Sequence, residues 1–156
     1  MNYQTPLNDA EAAYKKALIL LRRKEFEVAL SYLDDACHAE PERMLYRAWR
    51  AYTAYLCGRC TEGAVLRLVH TYTLMESKDT PQLMLLLGHI RRRTGRMEKA
   101  RYWYERAAEL DSSDPYILRA LREVGAPAAP TPETDISQPP HAVTGLWKTV
   151  RSWFRA

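Results

Sequence analysis

Glycine is scarce and never clustered: the chain has 6 in 156 residues, and Gly88 and Gly95 stand alone. That excludes a glycine-rich loop wrapped around a phosphate. Cysteine is limited to 3 residues, an odd number that argues against a disulfide framework and for a reducing compartment. The longest apolar run, Leu83 to Leu87, is far too short to cross a bilayer, and no secretory signal opens the chain. Two-residue alternation and β-branched runs are missing, so strands are not expected. His38, His70, His89 and His141 lack a local carboxylate or nucleophile partner, and no Ser/His/Asp order has supporting context. Acidic pairs such as Asp34-Asp35 sit beside basic residues and read as a solvated face. The expectation is a cytoplasmic protein that is not an enzyme and uses no cofactor and no metal.

What the chain does contain is a block that recurs three times. Each copy reads as a helix, a tight turn and a second helix. The first turn and second helix run Lys24-Glu25-Phe26-Glu27-Val28-Ala29-Leu30, followed by Leu33, Ala36 and Pro41. The third runs Gly95-Arg96-Met97-Glu98-Lys99-Ala100-Arg101, followed by Tyr104, Ala107 and Leu110. The middle copy, Gly58-Arg59-Cys60-Thr61-Glu62-Gly63-Ala64, is weaker. Ala29, Gly63 and Ala100 are 34 and 37 residues apart, and Ala17, Ala51 and Gly88 repeat those intervals. A period in this range means stacked helical hairpins.

Packed helices need small residues where their backbones approach, so the spacing pairs Ala17 with Ala29, Ala51 with Gly63, and Gly88 with Ala100. Leu20, Phe26, Leu33, Leu56, Leu87, Met97 and Tyr104 are placed to fill the space between hairpins. Gly58 and Gly95 stand where the chain reverses, a position that favours a left-handed backbone. Lys24 holds the first such position without glycine, at a cost of about 1 kcal/mol. Cys57-Gly58-Arg59-Cys60 has the spacing of half a zinc site, but no second pair of ligands follows. Cys60 falls in the register of Phe26 and Met97, so it is read as a core residue.

On these anchors the chain resembles the tetratricopeptide repeat family over residues 10–124. The resemblance implies an all-α fold: antiparallel helical hairpins stacked into a short right-handed solenoid of three repeats. A seventh helix, Asp114-Pro115 through Val124, would cap the open end, and Gly125 would stop it. The resemblance also implies protein–protein interaction through the concave face lined by the first helices. By register that face holds Glu11, Tyr14, Leu18 and Arg22, then Leu45, Ala48, Tyr52 and Tyr55, then Gln82, Leu85, His89, Arg92 and Arg93. The groove residues expected to carry binding are Tyr14, Leu18, Arg22, Tyr52, Tyr55, Gln82, His89, Arg92 and Arg93. Aromatic and leucine side chains with arginines at one end suit a peptide or helix segment with apolar anchors and an acidic group. Family members that clamp a C-terminal carboxylate use lysine and asparagine, and this chain has no asparagine after Asn8.

Four parts are therefore expected. Residues 1–8 form a polar lead, with Asn8 or Asp9 capping the first helix. Residues 9–124 are the repeat domain. Residues 125–142 form an extended linker, with five prolines among residues 126–141. Residues 143–156 return to helical periodicity: Val143, Leu146, Trp147, Val150, Trp153 and Phe154 on one side, with Lys148, Arg151 and Arg155 on the other. This amphipathic helix has two expected uses besides packing on the solenoid. It is a docking element for the domain's own groove or a partner, with Leu146, Trp147, Val150, Trp153 and Phe154 as its contacts. Alternatively it anchors the chain at an anionic membrane surface, on the inner face of a membrane. The net charge of +4 and the runs Arg22-Arg23-Lys24 and Arg91-Arg92-Arg93 raise nucleic acid as a partner. Both runs lie at helix C-termini, where cations offset the helix dipole, so nucleic acid is not expected.

Overall fold

The computed structural model describes residues 6–125. It contains seven α-helices among those residues: α1 Pro6–Arg22, α2 Phe26–Ala39, α3 Met44–Leu56, α4 Glu62–Leu74, α5 Thr80–Arg93, α6 Met97–Leu110 and α7 Pro115–Val124. The linker and the C-terminal helix expected over 143–156 lie outside the described residues.

Consecutive helices pack against each other, α1 on α2 and α5 on α6 most extensively. The described architecture is an all-helical solenoid of hairpins. Three turns reverse through a left-handed residue, as the spacing predicted: Lys24 has φ 62°, Gly58 φ 74° and Gly95 φ 75°. Each is closed by a backbone bond across five residues, for example Glu25 N–H to Leu20 at 3.0 Å and Arg96 N–H to Arg91 at 2.9 Å.

The first helix starts earlier than the Asn8/Asp9 cap reading. Pro6 opens it, a residue whose missing N–H costs nothing in a first turn. The last helix is as expected. Asp114 caps α7 by accepting from the N–H of Tyr116 at 2.8 Å and of Ile117 at 3.4 Å. Gly125, at φ 72°, ends it. Ile117 and Ala120 are the face that α7 buries against α6 and α5.

The middle hairpin departs from the expected register. Gly63 is exposed, and a Cβ there would meet only Arg67 of its own helix, at 3.6 Å. It is not the small residue facing Ala51. The buried positions of α4 are Val65, Val69, Tyr72 and Thr73. Val65, Val69 and Tyr72 repeat the spacing of Ala100, Tyr104 and Ala107. The physical reason lies in the turn. α2 and α6 start 2 residues after the left-handed position, at Phe26 and Met97, whereas α4 starts 4 residues after Gly58, at Glu62. Thr61 caps it, its hydroxyl accepting from the Ala64 N–H at 3.3 Å. The inserted pair shifts the second helix by two positions and replaces a small contact residue with valine. α3 and α4 consequently pack less closely than the other two hairpins.

Cys60 is therefore a turn residue, not a helical core residue. It is half-buried against the core, and its thiol donates to the Ala51 carbonyl at 3.5 Å. Met97, expected between hairpins, is 52% exposed, and Phe26 and Leu56 are half-buried. Leu20, Leu33, Leu87 and Tyr104 are in the core as expected. Gly88 is buried, but its close neighbour is the Tyr104 ring rather than Ala100.

Candidate functional site

The odd-numbered helices face one groove of about 760 Å³. Its floor is aromatic and aliphatic. Tyr14 and Leu18 come from α1, Leu45, Trp49 and Tyr52 from α3, and Leu85 and His89 from α5. The rings form one continuous chain. Tyr14 lies 6.5 Å from Trp49, Trp49 lies 5.9 Å from Tyr52 and 6.1 Å from His89, and His89 lies 5.5 Å from Tyr104.

Of the nine groove residues expected from the sequence, the structure brings eight to this wall: Tyr14, Leu18, Arg22, Tyr52, Gln82, His89, Arg92 and Arg93. Tyr55 does not line it; its ring lies tilted against Tyr52, with centroids 6.4 Å apart. Of the wider face, Glu11 instead pairs with Lys15 at 2.8 Å, and Ala48 is fully buried.

Sequence reasoning missed the contribution of α7 and of two helix caps. Asp114, Tyr116, Arg119 and Glu123 form one side of the groove, and Arg43 and Asp79 close its end at the helix N-termini. Trp49 was also missed, although it sits three residues before Tyr52 and so shares its helix face.

The charges divide by position. At the N-terminal end, Arg43 holds Asp79 through two bonds, Nε–Oδ2 at 3.2 Å and Nη2–Oδ1 at 3.3 Å. The same guanidinium donates to the Tyr46 hydroxyl at 2.9 Å and lies 4.7 Å from its ring centroid. Gln82 donates to Asp114 at 3.2 Å. Burial first, and then the nearby Asp79 carboxylate, push the Tyr14 hydroxyl upward, so it remains a neutral donor at this end.

At the C-terminal end the balance is positive. Arg92 is bound to Glu123, and Glu123 also accepts from Arg119 at 2.9 Å. Arg22, Lys24 and Arg93 have no carboxylate partner among the described residues. Arg22 instead lies over the Tyr116 ring, 5.1 Å from its centroid, so α1 and α7 meet across the groove.

Two polar atoms of the lining side chains are buried without a hydrogen-bond partner among the described residues: Nε1 of Trp49 and Oε1 of Gln82. His89 is neutral. Burial first, and then the charge of Arg92, bring its pKa down to about 4, and its Nδ1 shares a 2.9 Å bond with the Tyr104 hydroxyl. The groove can therefore present aromatic surface and positive charge. Among the described residues no cluster of His, Cys, Asp and Glu could hold a metal, and no helix is long and apolar enough to cross a membrane.

Residues 63–115 match the family model of the tetratricopeptide repeat. Over that stretch the chain is similar to the tetratricopeptide repeat. The solved structures agree on the fold. The first tetratricopeptide repeat domain of the human RPAP3 protein matches with a TM-score of 0.51 at 16% identity, over 77% of this chain and 91% of that one. The Sgt2 tetratricopeptide repeat domain from Aspergillus fumigatus matches with a TM-score of 0.50 at 16% identity, over 83% of this chain and 90% of that one. No curated protein matches the chain in sequence. The match of the family model begins at Gly63, so it covers the shifted helix α4 as well as the well-formed third repeat.

Proposed function

We propose that the chain is a non-enzymatic interaction adaptor whose groove holds a peptide or helix segment of another protein. The segment would bring apolar side chains to Leu18, Leu45, Trp49, Tyr52 and Leu85, and one acidic group to the C-terminal end. The observation that carries this reading is the trio Arg22, Lys24 and Arg93, cations with no carboxylate partner among the described residues, at the end of an aromatic floor. An unpaired cation beside apolar surface gains a charge-assisted bond when an acidic partner arrives.

The test is a random phage-displayed peptide library panned on the full chain, with the enriched peptides then synthesised and titrated by fluorescence anisotropy. Apolar peptides with an acidic residue are expected. Arg22→Glu with Arg93→Glu should weaken them by at least a hundredfold, from two charge-assisted contacts at about 1.5–3 kcal/mol each. The helical circular dichroism signal should not change, because neither side chain is paired with a carboxylate. Full binding by the double variant would move the site elsewhere.

We further propose that residues 143–156 form a recruitable helix. Their aromatic and basic content supports a docking element, and with the proline-rich linker it also supports contact with anionic lipid as the alternative. Flotation of the full chain and of a variant ending at residue 141 with phosphatidylserine vesicles separates the two. Retention by the full chain alone would favour the membrane.

A further inference from the structure

We infer that Glu123 of the capping helix fixes which cations of the groove a partner meets, directing a partner's acidic groups to Arg22, Lys24 and Arg93 and away from Arg92. The inference rests on the peptide-binding reading above and specifies it.

A cap needs only an apolar underside, and Ile117 and Ala120 supply that. Glu123 lies on the groove side of the helix, beside Ala120. It lines the groove, with its side chain 36% exposed, and accepts from two arginines on different helices. Arg92 of α5 reaches it at 2.5 Å and Arg119 of α7 at 2.9 Å. Those bonds, Arg92 first, hold the Glu123 carboxyl below the usual carboxylate range, so it stays ionised at neutral pH.

Arg92 and Arg93 are neighbours in sequence with opposite availability. Arg92 is already neutralised inside the molecule, whereas Arg93 is exposed and has no carboxylate partner among the described residues. A partner carboxylate that approached Arg92 would meet the charge of Glu123 at hydrogen-bond range, where like charges repel strongly. The open positive charge thus contracts to Arg93, Arg22 and Lys24. A partner acid directed at Arg92 is turned away, which is selection by repulsion as well as by attraction.

The experiment pans the same phage library on the full chain and on Glu123→Gln, which keeps the size of the side chain and removes its charge. Glu123→Gln should enrich peptides with one acidic residue more than the wild-type set. Those peptides should bind it about tenfold more tightly than they bind wild type, the effect of one charge-assisted contact. Arg92→Gln with Glu123→Gln should lose that extra preference, which assigns it to Arg92 unmasked. This neutral pair also covers the case in which an unpaired Arg92 unsettles the single variant. Identical peptides and affinities from wild type and Glu123→Gln would overturn the role of Glu123 and leave the groove reading standing. Peptides that ignore Arg22 and Arg93, or no enrichment from any of the proteins, would overturn both.

Discussion

Gly88 of α5 and Tyr104 of α6 share one small space: a Cβ on residue 88 would lie 2.2 Å from the tyrosine ring. The ring is fully buried and its hydroxyl is bonded to His89, so it has nowhere to move. Gly88→Ala should therefore destabilise by about 1–3 kcal/mol from overpacking, although alanine is the better helix former. Gly88→Ala with Tyr104→Leu should cost less than the two single changes added together. Chemical denaturation of the four proteins measures the coupling. Strict additivity would mean that the two residues do not compete for this space.

The left-handed Lys24 sets stability against binding. Glycine at φ 62° carries no side-chain strain, so Lys24→Gly should stabilise the domain by about 1 kcal/mol. It also removes one of the three groove cations that have no carboxylate partner among the described residues. The melting temperature should rise while affinity for an acidic peptide falls. A fall in both would mean that the lysine side chain contributes packing that outweighs its backbone strain.

His89 makes stability depend on acid. Its folded pKa of about 4 lies below the ordinary value of 6.5, so the folded state resists protonation. The contribution is fully present above pH 6.5 and is lost as pH falls from 6.5 towards 4. By pH 5 the loss should reach about 2 kcal/mol, and His89→Gln should remove that part of the slope. Urea titrations at pH 7 and pH 5 on both proteins check it; equal slopes would mean that the imidazole is not held neutral.

For the tail, Trp147→Ala with Trp153→Ala should abolish whatever docking residues 143–156 perform, because each large aromatic contributes about 1.5–3 kcal/mol when buried. The melting temperature of residues 9–124 should not change, and a protease should cut first within residues 126–141. A lowered melting temperature in the double variant would make the segment part of the fold.

The turns and the cap were legible because single residues announce them. Gly58, Gly95 and Gly125 need a backbone that glycine adopts freely, and Asp114-Pro115 spells a cap followed by a first helical residue. Most of the groove was legible because the helical period alone puts Tyr14 and Leu18, or His89 and Arg92, on one face. The middle hairpin was misread because Gly63 and Ala64 mimic the small contact residue at the expected interval. Thr61 with Glu62 was the available sign of a later helix start. The pairing of Arg92 with Glu123 was out of reach: the two residues are 31 positions apart, and no periodicity joins the third repeat to the groove side of its cap. The orphaned Nε1 of Trp49 depends on what other helices fail to offer, which no local pattern encodes.

The contact of Arg22 with Tyr116 turns the groove into a ring with one removable link. An exposed cation–π contact is worth about 0.5–1 kcal/mol, so the link stands open for about one sixth to three tenths of the time. A partner that presents a chain end can thread beneath it at any moment. A partner that offers an internal loop must wait for the guanidinium to lift from the ring. The affinity lost is small, but the route of entry differs, so the order in which a partner's residues arrive is set by topology before any of them is recognised.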